Sequence, residues 1–93
     1  MDLDNIFGGM SINWSIITLR QCLERGLQNG DFSNCIATAQ DVLNGVSGKV
    51  KYPEDHDICK LVRVDFDLYN NVIQRLGNRR LSKVLSEIMR LCK

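Results

Sequence analysis

From Trp14 onward apolar side chains return every three or four positions. Ile16, Leu19, Leu23 and Leu27 mark one face, with Ile17 and Cys22 near its edges, and this period predicts a helix over 14–28. Asn29-Gly30-Asp31 supplies a stop glycine and a new cap, with Asp31 or Ser33 placed to accept from free backbone N–H groups. A second pattern follows at once. Phe32, Cys35, Ile36, Ala39, Val42, Leu43 and Val46 fall within about 100–120° of a helical wheel. Asn34, Asp41 and Asn44 lie opposite, and Gly45 and Gly48 close the element, which predicts a helix over 32–45. So short a turn between two helices predicts an antiparallel hairpin.

The stretch 47–57 reads as a loop whose second half, with Pro53 and acids at Glu54, Asp55 and Asp57, prepares a helix start. The residues after it fit two periods. Leu61 to Leu68 alternates apolar and polar, as a half-buried strand does. On a helical wheel, however, Ile58, Leu61, Val62, Val64, Phe66, Leu68, Tyr69, Val72, Ile73 and Leu76 share one broad face, and only Asp65 is misplaced on it. A strand here has no partner beyond the short Lys49-Val50-Lys51-Tyr52 stretch, and an isolated two-stranded ribbon is marginal. The pattern therefore predicts one long helix over 54–76, in which a buried Asp65 needs a partner. Gly77-Asn78 is the next stop, and Leu81, Val84, Leu85, Ile88, Met89 and Cys92 form the stripe of a last helix over 79–91. The expected fold is all-α: an antiparallel helical hairpin, a long helix and a basic C-terminal helix, four helices in one small domain over 14–93.

The 93 residues allow one domain with a modest core. Residues 1–13 read as an N-terminal tail, flexible or docking: acidic, interrupted by Gly8-Gly9, with Leu3, Ile6, Phe7 and Met10 apolar. The acids at the amino end do not resemble a secretory signal, and no apolar run approaches the roughly 20 residues of a membrane span. An intracellular, non-membrane protein is expected. Its four cysteines, Cys22, Cys35, Cys59 and Cys92, have 12, 23 and 32 residues between them and no CxxC. They allow two disulfides in three pairings, but an intracellular chain predicts reduced thiols. In such a compartment Asn13-Trp14-Ser15 is an accidental glycosylation match.

Catalytic motifs are missing: there is no GxSxG, P-loop, HExxH or Gly-rich dinucleotide turn. The only histidine, His56, stands three residues before Cys59, a spacing open to a Cys–His nucleophile if a third group orients the imidazole; none is identifiable. The same pair with Cys22 and Cys35 would make an S₃N set for zinc, although Cys35 lies on an apolar stripe as a small core residue does. The reading is a non-enzyme with no cofactor and no metal.

Charge divides the chain. Residues 1–57 carry four basic and eight acidic side chains, and 58–73 balance; 74–93 hold six basic residues against Glu87. Arg75, Arg79, Arg80, Lys83 and Arg90 are the candidate residues for nucleic acid, since Arg79 to Arg90 spans about 16 Å of helix, enough to follow several phosphates of duplex RNA or DNA. Arg79-Arg80-Leu81-Ser82 matches a basic-directed kinase site. The other candidate surface is the amino end, where Leu3, Ile6 and Phe7 among Asp2 and Asp4, with Trp14, form an acidic-hydrophobic segment suited to a partner's groove. The leading expectation is a small regulatory or binding protein that acts through contacts with a protein partner, as a homodimer among the options. Nucleic-acid binding is the alternative.

Overall fold

The computed structural model describes the backbone of residues 3–49 and 58–93, and side chains at 14–49 and 58–93. The described residues form five helices and no strand: α1 (Leu3–Asn29), α2 (Cys35–Val46), α3 (Ile58–Arg63), α4 (Phe66–Leu76) and α5 (Arg80–Leu91). The all-α expectation holds, and the strand alternative for 61–68 does not. The expected four helices are corrected to five, because the long third helix is two.

The core is built from one stripe per helix. Ile16, Leu19 and Leu23 of α1 meet Cys35, Ala39 and Val42 of α2, Val62 of α3, Tyr69 and Val72 of α4, and Leu81, Leu85 and Ile88 of α5. α2 sits between α1 and α5, and α4 packs along α5. Of the predicted stripes, Cys35, Ala39 and Val42 of α2 and Leu81, Val84, Leu85, Ile88 and Cys92 at α5 are buried, whereas Ile36, Leu43, Val46 and Met89 are half-buried, as is Phe32, which precedes α2.

α1 begins at Leu3, eleven residues before the start its apolar period suggests, and so runs through Gly8-Gly9. Glycine inside a helix costs about 1 kcal/mol relative to alanine, a penalty that weakens a helix without forbidding it. The helix ends where the sequence places its stop: Gly30 takes φ +79°, and its N–H donates to the Gly26 carbonyl at 2.7 Å. Asp31 accepts from a backbone N–H as expected, but within the turn and not at the first residue of α2. Asp31 Oδ1 accepts from the Ser33 N–H and hydroxyl at 3.0 and 2.6 Å, which tightens the turn and lowers the Asp31 carboxyl below its ordinary range. α2 itself starts at Cys35 behind Asn34, without a side-chain cap.

The break between α3 and α4 turns on Asp65. Its N–H donates to the Val62 carbonyl three residues back at 2.9 Å, closing a tight turn, and its carbonyl accepts from Tyr69 to open α4. Val64 is 73% exposed while Asp65 is buried at 5%. There the carboxylate accepts from Arg20 Nε of α1 at 2.8 Å, the partner a buried acid at this position requires.

Tyr69 is fully buried one turn beyond Asp65, and its hydroxyl has no hydrogen-bond partner among the described residues. Burial, then the neighbouring Asp65 charge, raise its pKa above the ordinary tyrosine range, partly offset by Arg20. An unfolded tyrosine ionises near 10. The stability tied to the Tyr69 proton is therefore intact below about pH 10 and is lost as pH rises further. Tyr69→Phe should raise stability by about 1 kcal/mol at neutral pH, since it removes an unpaired buried hydroxyl. It should also flatten the alkaline loss, and urea unfolding at neutral pH and at about pH 11 checks both.

Two disulfides join the helices. Cys22–Cys35 ties α1 to the start of α2 with a Cα–Cα distance of 5.7 Å, and Cys59–Cys92 ties α3 to the end of α5 with a Cα–Cα distance of 4.8 Å. This corrects the expectation of reduced thiols: the packing of α1 on α2 and of α3 on α5 brings each pair within bridging distance. Bridges of this kind persist in oxidising surroundings. No helix among the described residues is long and apolar enough to cross a membrane.

Candidate functional site

The outward side of α1 is the first surface. Trp14 is 67% exposed and Ile17, one turn on, is 42% exposed, although the inward stripe of the same helix is sealed. Their apolar surface is unusual for an outward helix face, where polar residues such as Gln21, Glu24 and Gln28 continue the stripe. Leu3, Ile6 and Phe7, the other predicted partner-binding residues, have side chains outside the described set, while the backbone that carries them belongs to α1. The spacing of positions 3, 7, 10, 14 and 17 alternates four and three, and each holds an apolar residue. This is the spacing of a helix–helix seam. The link between the amino end and Trp14 emerges only once α1 is seen to start at Leu3.

The second surface is basic. Arg75, Arg79, Arg80, Lys83 and Arg90 are all exposed, but they serve different places. Arg75, Arg79 and Arg80 border an open groove of about 770 Å³ between the α1–α2 turn and the α4–α5 junction. Arg75 donates to the Leu27 carbonyl at 3.1 Å, which fixes its guanidinium against the end of α1. Arg90 pairs with Glu87 on its own helix, Nε to Oε2 at 2.9 Å, and that pairing lowers the Glu87 carboxyl and raises the Arg90 guanidinium. Arg90 borders a separate hollow of about 360 Å³ with Phe66, Asn70 and Lys93.

Three sequence-stated chemistries are overturned or displaced. The sulfurs of Cys22, Cys35 and Cys59 are all in disulfides, so neither the zinc set nor the Cys–His nucleophile has its thiolates; His56 lies outside the described residues. Ser82 is 2% exposed and its hydroxyl is buried, so the kinase-like stretch presents no acceptor in the folded chain. The groove is the feature that sequence reading misses. Its walls come from 30–36, 75–76 and 79–81, and only the Arg79-Arg80 pair hinted at it. Scans against family models, curated proteins and solved structures return no match to this chain.

Proposed function

We propose that this chain is a small, non-enzymatic binding protein that works through protein–protein contacts, with α1 as its contact helix. The observation that carries the reading is Trp14, a large aromatic 67% exposed on a helix whose opposite face is packed into the core. Tryptophan is the residue most enriched among dominant interface anchors. Leu3 and Phe7 extend the contact toward the amino end by the seam spacing, with Ile6 beside them in the sequence. The test is recovery of protein partners on the immobilised full chain from nuclease-treated extract. Trp14→Ala combined with Ile17→Ser should cut recovery about tenfold while leaving the melting temperature nearly unchanged, since neither side chain is in the core. Unchanged recovery, or recovery abolished by nuclease alone, rejects the reading.

A second reading, duplex RNA or DNA binding through Arg75, Arg79, Arg80, Lys83 and Arg90, is supported by the exposure of all five. The Arg90–Glu87 pair and the single carboxylate at the groove, Asp31, weaken it, because each sets a negative charge beside the phosphate path.

A further inference from the structure

The Arg75–Arg79–Arg80 groove has a chemistry of its own. Phe32, Ile36 and Leu76 are half-buried along it, so its floor is apolar, and the three arginines stand exposed at its edge. The one acid there, Asp31, already accepts two hydrogen bonds from Ser33. Guanidinium groups present paired donors matched to carboxylates. Such a groove fits a segment that alternates carboxylates with bulky apolar side chains.

This chain carries one such segment. Residues Asp2, Leu3, Asp4, Ile6 and Phe7 put two carboxylates among three large apolar groups. In its own molecule the helix that begins at Leu3 leads away from that end to the groove. α1 runs from Leu3 to Asn29, about 40 Å at 1.5 Å per residue, and the groove opens at the far end, beside Gly30. A second copy removes the difficulty. The midpoint of Leu3–Asn29 is Ile16, so two α1 helices laid antiparallel about that point bring the exposed Trp14 and Ile17 of both copies together. The same placement carries each amino end to the other copy's Gly30 end. Both the apolar pair and the charge complementarity are then used by one self-complementary, two-fold contact.

We propose that the partner of α1 is a second copy of this chain, with Asp2 and Asp4 of each copy on the Arg75, Arg79 and Arg80 groove of the other. The proposal rests on α1 being the contact helix and adds the identity of what it contacts. Nucleic acid is disfavoured at the groove by the apolar floor.

Sedimentation of the full chain should show a reversible dimer that loosens with added salt. Arg79→Glu with Arg80→Glu should weaken it at least about tenfold, as should Asp2→Arg with Asp4→Arg, and combining all four in one chain should restore it to within about threefold. A labelled peptide of residues 1–10 should bind the unaltered chain and be displaced by the unlabelled peptide, a measurement that needs no variant to fold. The proposal is overturned by a monomer at all concentrations, by failure of the four-fold swap to restore association in a chain of unchanged helicity, or by a scrambled peptide or duplex DNA binding as tightly as the segment. Loss of dimer in Trp14→Ala but not in the arginine variants also overturns the groove assignment, while leaving α1 as the contact helix intact.

Discussion

Reduction of both disulfides should lower the melting temperature by about 20 °C or more, or remove the cooperative transition altogether. The Cys59–Cys92 bridge closes a loop of sequence separation 33 and Cys22–Cys35 one of 13. Restriction of the unfolded chain then contributes about 4 and about 3 kcal/mol respectively. For a domain near this size each kcal/mol moves the midpoint by about 4–8 °C. The larger loop also does more for the native contacts. α3 has six residues and buries only Val62, so its attachment depends on the bridge and on Arg63 Nη1 donating to the Cys92 carbonyl at 3.1 Å. Cys59→Ser with Cys92→Ser should therefore cost about 1 kcal/mol more than Cys22→Ser with Cys35→Ser. Thermal dichroism with and without a phosphine reductant decides the matter, and identical midpoints would show that the thiols are not bonded.

Arg20→Ala should destabilise the fold by about 2–3 kcal/mol, because it leaves the Asp65 carboxylate in the interior without its partner. The figure sits at the low end for a buried pair since the Arg20 side chain is 39% exposed, and water can take over part of its role. Removing Asp65 as well should recover most of the loss, since the cost lies in the stranded charge more than in the missing attraction. Urea unfolding of the two single variants and the double variant measures the coupling directly. An Arg20→Ala loss under about 0.5 kcal/mol would place Asp65 in contact with solvent instead.

How much of this could be read from the residues alone differs from element to element. The α2 stripe of Cys35, Ala39 and Val42 and the α5 stripe of Leu81, Leu85 and Ile88 follow from the 3.6-residue period, because each helix has a single face against the core. Gly30 and Gly77 mark the stops of α1 and α4 with positive φ. The break at Asp65 has no local signal of this kind. No glycine or proline stands there, and the partner that Asp65 meets, Arg20, is 45 positions away in the chain. Alternation over 61–68 hinted at a departure from one uniform helix, but it pointed to a strand. The disulfide pairing was equally beyond reach, because spacing permits three connectivities and only the packing of α1 on α2 and α3 on α5 selects one. Of the candidate surfaces, Trp14 was legible as a candidate and its exposure is what the fold adds, whereas the groove is assembled from three separated stretches and shows no pattern in any of them.

The two bridges form consecutive rings, one closed before the other begins. Only peptide bonds join them across the interval from Cys35 to Cys59. One proteolytic nick in that interval would leave two polypeptides that separate in denaturant without any reducing agent. A nick inside either ring would leave a single, still-tethered species of nearly unchanged mass.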